Sequence, residues 1–294
     1  MRVDNEIVPQ IIQGKSMIEG EKLQKILARG GYGSRREIER LIEQGLVQLN
    51  GRTAKLGDRA TTDDKIQVRG HTVKATRLAK QPTQVLLYHK PEGRVCSRAD
   101  EQGRDSIFDQ LPPIHNGRWI SIGRLDINTS GLLIVTNNGE LANRMMHPSY
   151  ELEREYAVRI FGEVGDDVLA RLRQGVMLED GLAKFDHVSR IPSDEDAINQ
   201  WFRVILKEGR YREVRRLWES QGLQVSRLMR IRYGDFSLPR GLRRGKSEPL
   251  NWIQVNKLLA DVGLAKEVRP DLRTHASGDE RKKRSAPIAT RRRT

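Results

Sequence analysis

Apolar positions early in the chain recur at helical spacing and then change to alternation. Leu23, Ile26 and Leu27 share one helical face, and Gly30-Gly31 stops the run. A second helix starts at once. Ser34-Arg-Arg-Glu37 has capping-box spacing, in which the Ser oxygen takes one orphan backbone N–H and the Glu reaches back to another; Ile38, Leu41 and Ile42 make the buried stripe. Gly45 ends that helix. Val47 and Leu49, an Asn50-Gly51 turn, and Ile66 and Val68 then predict the short strands of a small β unit. Residues 77–83 are polar, contain Pro82 and have no period, so they read as a linker.

Beyond the linker the pattern is mostly strand-like, with runs at 85–88, 119–122, 132–135, 156–161, 183–191, 201–206 and 225–233. Shorter helices are predicted at 140–146, 166–173, 212–220 and 250–259. The connections are mostly too short for crossovers between parallel strands, so the expected fold is α+β with a mainly antiparallel sheet. From about Val262 the period is lost. The expected organisation is a flexible leader at 1–18, a small module at 19–76, the linker at 77–83, a large domain at 84–261 and a basic disordered tail at 262–294.

Charge gives this outline a partner. A formal net charge of +14 on 294 residues points to a polyanion, most often nucleic acid. The tail adds Arg281-Lys-Lys-Arg284 and Arg291-Arg-Arg293, which suit salt-sensitive, unspecific affinity. In the small module the capping box leaves Arg35, Arg36 and Arg40 in the first turns, away from the apolar stripe. Positive charge there opposes the helix dipole, so folding does not account for it; a phosphate-binding surface does, and a merely solvated face is the other reading.

Several classes drop out. The single cysteine, Cys96, leaves no intrachain disulfide and no Cys-x-x-Cys zinc site, and it fits a cytoplasmic protein. No apolar run approaches the roughly 18 residues that span a bilayer. Gly241-Leu-Arg-Arg-Gly245-Lys-Ser247 imitates a P-loop, but Arg240 stands where the first glycine belongs. The glycines at 30, 31 and 33 likewise fail as a dinucleotide fingerprint, because Arg36 occupies the last position. With six scattered histidines and no His-Glu-x-x-His, neither metal nor organic cofactor is expected.

The candidate chemistry lies at Gly123-Arg-Leu-Asp126-Ile-Asn-Thr-Ser-Gly131, between two strand-like runs. Asp126 falls where strand ends and loop begins, a place from which a carboxylate can project into a cleft or bond its own loop as an Asx turn. A calcium loop is excluded, because Asn137 stands at the twelfth position where a bidentate Glu is needed. Tyr156 starts a strand and shares its face with Val158 and Ile160, the pattern of a core tyrosine. On the helix predicted at 212–220, Val214, Leu217 and Trp218 cluster on one side and Arg215 falls at their border. A half-desolvated guanidinium there needs a carboxylate partner, which any local acid could supply.

The run Gly123 to Leu133, with Glu140-Leu-Ala-Asn-Arg-Met-Met-His-Pro148 after it, resembles the ribosomal-RNA pseudouridine synthases of the small-subunit synthase A type. Glu21 to about Gly70, with Gly33-Ser-Arg-Arg36 and Gly45-Leu-Val-Gln-Leu-Asn-Gly51, resembles the S4 RNA-binding module that precedes the catalytic domain in that family. The resemblance implies a bent mixed sheet with a cleft along its middle, and Asp126 as the catalytic residue. It implies that Tyr156 packs against the target base, that Arg215 pairs with Asp126 and that Arg124 takes the space vacated by the extruded uridine. It also implies that Arg35 and Arg36 contact RNA backbone. Arg215-Arg-Leu-Trp-Glu219 and Val225 to Gly234 are most similar to the large-subunit branch. The expected function is therefore uridine-to-pseudouridine isomerisation in a structured hairpin of large-subunit rRNA or in a pre-ribosomal particle, by a monomer without cofactor. The rivals are a non-catalytic rRNA-binding or assembly factor, and an RNA N-glycosidase. Against the glycosidase stands the lack of a second carboxylate of clear role.

Overall fold

The computed structural model describes residues 20–98, 102–192 and 198–268. The chain divides into two compact units, the first reaching Lys80 and including Asn116–Arg118, the second taking up the chain at Gln81. The leader expected at 1–18 and the basic clusters of the tail lie outside the described residues.

In the first unit, β1 (Glu21–Lys22) leads into α1 (Leu23–Arg29) and α2 (Arg35–Glu43). There follow β2 (Val47–Leu49), β3 (Arg52–Thr53), β4 (Arg59–Ala60), β5 (Ile66–Val68), β6 (His71–Thr72) and α3 (Ala75–Leu78). The sheet order is β3-β2-β5-β6, with β1 paired to β4. The capping box forms as the sequence requires: Glu37 N–H donates to Ser34 Oγ at 3.1 Å and Ser34 N–H to Glu37 Oε2 at 2.5 Å. A cap of this kind contributes about 1 kcal/mol. The apolar stripes of both helices meet Val47, Leu49, Ile66 and Val68 in one core. The expected start of the linker needs correction, because Leu78 is buried in this core and its carbonyl accepts from Arg29 Nη2 at 2.8 Å.

The second unit holds a nine-stranded mixed sheet. Its strands and helices are β7 (Val85–Lys90), β8 (Ile120–Ile122), β9 (Ser130–Thr136), α4 (Gly139–Met146), β10 (Arg154–Phe161), α5 (Asp166–Gln174), β11 (Val176–Leu178), β12 (Gly181–Ala183), β13 (His187–Ile191), β14 (Asn199–Leu206), α6 (Glu213–Glu219), β15 (Gln224–Tyr233), β16 (Phe236–Ser237), β17 (Ser247–Pro249) and α7 (Trp252–Asp261). The order is β13-β14-β10-β15-β9-β7-β17, with β8 on β9 and β16 on β15, and every pairing is antiparallel except β9 with β15. On β9, Leu133 and Val135 enter one apolar cluster while Leu132 and Ile134 enter the other. Both sheet faces are covered there, which explains the unbroken apolar run.

Three expectations change here. The strand expected over 183–191 is divided: β12 folds back on β11 as a hairpin, the buried Phe185 packs its ring 6.0 Å from that of Trp218, and β13 begins only at His187. The helix expected from 212 starts at Glu213, because Arg212 is left-handed with φ 49°. The large domain also runs past 261. Val262 is buried, and the Glu267 carboxylate accepts from Thr83 N–H and Thr83 Oγ1, both at 2.7 Å, so Thr83 belongs to this unit and not to a linker.

Candidate active site

Gly131 fixes where the loop before β9 can stand. With φ at +107° it lies so close to β15 that a Cβ would sit 2.2 Å from the Arg230 carbonyl oxygen, so only glycine permits the parallel contact Gly131↔Arg230. Arg230 in turn is the cross-strand partner of Tyr156 on β10. The loop that carries Asp126 is thereby brought beside Tyr156 through two strand pairings.

Two buried cations shape the loop. Lys90, at the end of β7 and fully buried, donates from Nζ to the carbonyls of Asp126 at 3.0 Å, Thr129 at 2.9 Å and Ile127 at 3.5 Å, as well as to Pro91 at 3.0 Å. Arg215, on α6, donates from Nη2 to the remaining carbonyl, that of Asn128, at 2.9 Å, and from Nη1 to Val225 at 3.0 Å. All four carbonyls from Asp126 to Thr129 thus turn toward positive charge. The Asp126 carboxylate makes no hydrogen bond or ion pair among the described residues and faces a cleft of about 410 Å³. It therefore forms no Asx turn. Burial pushes the Lys90 ammonium below its ordinary range, against the opposing charge of Asp126. Burial and the Arg212 guanidinium lower Arg215 likewise, with the Asp126 charge opposing them.

The fork between Arg215 and Asp126 is corrected by this geometry. Arg215 spends its two terminal nitrogens on backbone carbonyls and stands behind the loop, outside the cleft lining. It acts on Asp126 through the shape of the loop and through charge at a distance. Asp126, Tyr156 and Arg124 do share the cleft: Asp126 is half-buried, Tyr156 is buried with its ring in the lining, and Arg124 is exposed. Arg35 and Arg36 belong to the first unit, exposed on α2 and without an ion pair among the described residues.

Several cleft groups escaped the sequence reading. Arg230 is buried, donates from Nε to the Leu132 carbonyl at 2.8 Å, and keeps Nη2 without a partner among the described residues. Thr129 Oγ1 is a second buried group of the lining without a partner there. Cys96 also lines the cleft, but burial pushes its thiol up, so it is held as an uncharged group against Leu125. Glu213 supplies the second carboxylate that the motifs lacked. It is buried in the lining, burial pushes its carboxyl up, and it accepts the Arg210 backbone N–H at 3.0 Å, a capping role at the start of α6.

Comparison with known proteins agrees with the cleft. Residues 84–220 match the RNA pseudouridylate synthase family and residues 21–66 match the S4 domain. The chain is 55% identical over 256 residues to ribosomal large subunit pseudouridine synthase B of Haemophilus influenzae, covering 86% of this chain and 71% of the relative. It is also 55% identical over 249 residues to the protein of the same name in Escherichia coli, covering 84% and 85%. A solved pseudouridylate synthase superposes with a TM-score of 0.57 at 26% identity, over 81% of this chain and 99% of the other.

Proposed function

The chain belongs to the RNA pseudouridylate synthase family, and from that premise we propose that it isomerises a uridine of large-subunit ribosomal RNA to pseudouridine, with Asp126 as the catalytic residue. The observation that carries the assignment is the Asp126 carboxylate, without a partner among the described residues, in a cleft whose loop backbone is held by Lys90 and Arg215. In the reaction the N1–C1′ bond breaks, the uracil turns over, C5 bonds to C1′, C5 loses its proton and N1 gains one, so atoms balance without an oxidant or a second substrate. Detaching the uracil requires either attack of a carboxylate on C1′ or removal of the proton at C2′, and one aspartate side chain serves both routes.

The other residues take supporting roles. Tyr156 offers its ring to the target base from the cleft wall. Arg215 is a positioning residue that sets the loop. Arg230 keeps a buried cationic N–H beside the place where the detached uracil carries charge, and preorganised donors of that kind stabilise developing anions. The uridine must leave its stack to reach Asp126, which costs least in a loop or bulge, so a structured hairpin or the pre-ribosomal particle that contains one is the proposed substrate. Arg124 occupies the vacated position, and Arg35 and Arg36 bind backbone phosphates. The protein is proposed to act as a cytoplasmic monomer without metal or cofactor; no described helix is long and apolar enough to cross a membrane.

Mapping pseudouridines in rRNA from cells with and without this chain tests the assignment. One large-subunit position should lose its modification and regain it with wild-type protein but not with Asp126→Asn. An unchanged large-subunit map would sink the reading, and rescue by Asp126→Asn would move it to an RNA-binding factor.

A further inference from the structure

Tyr211 and Met146 are the two large apolar side chains that the cleft leaves exposed, Tyr211 at 72%. The Tyr211 ring joins neither core cluster and its hydroxyl makes no hydrogen bond among the described residues. Folding therefore gives no reason for an aromatic side chain here. On either side stand Arg210 and Arg212, which also line the cleft.

The backbone beneath the ring is fixed. Arg210 N–H donates to Glu213 Oε2 at 3.0 Å, and the Arg210 guanidinium donates to the Leu182 carbonyl at 3.0 Å and pairs with Glu208 at 2.6 Å. Arg212 is held left-handed and pairs with Glu219 at 3.2 Å. The turn thus presents an exposed ring from an anchored backbone, with an arginine on either side in the chain. An aromatic face with few torsions loses little entropy on binding, and aromatic side chains among arginines are the platforms on which proteins stack unpaired bases. The target base has a place already, against the buried Tyr156 beside Asp126. An exposed ring elsewhere in the same lining is available to a neighbour in the strand.

We infer that Tyr211 stacks on an unpaired nucleobase flanking the target uridine, and so makes the enzyme choose a uridine with an unpaired neighbour. This rests on the proposed RNA isomerisation. The contact is to the π-face, so it asks for an aromatic ring and not for the tyrosine hydroxyl.

The test uses the full chain and an rRNA hairpin centred on the mapped uridine, with each of the three nucleotides on either side replaced in turn by an abasic ribose. Affinity is read by titration and turnover by pseudouridine formation. Tyr211→Ala should weaken binding of the parent hairpin by roughly 5- to 150-fold, the range carried by one base–aromatic stack, while Tyr211→Phe retains it. At one flanking position the abasic RNA should cost wild type the same factor and cost Tyr211→Ala nothing further, the signature of a single shared contact. Independent penalties at all six positions, a Phe variant as weak as Ala, or an Ala variant that binds like wild type would each overturn the inference. Binding is measured separately from turnover. A hairpin bound through Tyr211 but never isomerised would therefore contradict the proposed reaction and leave the stack standing.

Discussion

Lys90 is the residue on which the geometry of the Asp126 loop depends. Its ammonium serves the carbonyls of Asp126, Ile127 and Thr129, and no second donor side chain reaches those oxygens among the described residues. Lys90→Met keeps the length of the stem and removes the donor. The Asp126 and Ile127 carbonyls keep the backbone N–H groups of Thr129 and Gly93 at 3.0 and 2.8 Å, so the loss falls chiefly on the Thr129 carbonyl. A buried carbonyl left unpaired costs about 1–3 kcal/mol, and the variant should lose stability of that order, along with activity, read as a lower urea midpoint at unchanged slope. A midpoint equal to wild type would mean that the loop does not rely on the ammonium. The role was hard to see from the sequence because Lys-Pro-Glu-Gly looks like a surface turn, and only the burial of β7 shows that the lysine points inward. Glu213 makes a second prediction at this scale. Burial causes the folded protein to hold its proton more tightly than the unfolded chain does. The stabilisation from that tighter hold is complete below the ordinary value of 4.5 and is lost as pH rises through the folded value, where the carboxylate must be buried charged. Glu213→Gln keeps an acceptor for Arg210 N–H, so it should melt above wild type at pH 8, with a gap that narrows in acid. A gap independent of pH would exclude this cause.

Among the elements, the parallel pair of β9 and β15 decides where the cleft forms. Two glycines of the same motif separate close approach from backbone strain. Gly123 has φ at +76° with nothing within 4 Å of a would-be Cβ, whereas at Gly131 a Cβ would lie 2.2 Å from the Arg230 oxygen. Gly123→Ala should cost about 1–2 kcal/mol, from left-handed strain alone. Gly131→Ala must push β9 away from β15 and should cost more than about 4 kcal/mol, with loss of turnover in whatever fraction still folds. Equal melting temperatures for the two variants would contradict the close packing. The sequence disclosed most individual elements: the capping box marked α2, and alternation or unbroken apolar runs marked β9, β10, β14 and β15. It did not disclose the pairing of β9 with β15, whose partners are far apart in the chain, nor the β11–β12 hairpin, where the exposed Met177 and Leu182 interrupt the alternation that would mark Val176, Leu178 and Ala183 as the face packed on the core. β17 was missed as well, because its Pro249 is an ordinary sign against a strand and is tolerated there at the sheet edge.

For the whole molecule, the positive charge and the two-unit plan were legible as composition and as a change of period, and the family motifs located Asp126, Tyr156 and Arg124 in what proved to be one cleft. The partner of Arg215 was not legible, since a sequence gives the border position of a guanidinium but not whether a carboxylate or a carbonyl faces it. Exposed Arg35 and Arg36 carry the expectation for affinity. Replacing both by Ala should flatten the plot of log binding constant against log salt by about 0.7–0.9 for each phosphate no longer neutralised and leave the rate at saturating RNA unchanged. An unchanged slope would make them solvated bystanders. The central claim is that the Asp126 carboxylate drives an isomerisation, and it is tested by incubating the purified chain with large-subunit rRNA carrying tritium at C5 of uridine. Wild type should release tritium to water without free uracil, and Asp126→Asn, bound to RNA as tightly, should do so at least about a thousandfold more slowly. Asp126→Asn turnover within about tenfold of wild type, or free uracil in proportion to turnover, would contradict it.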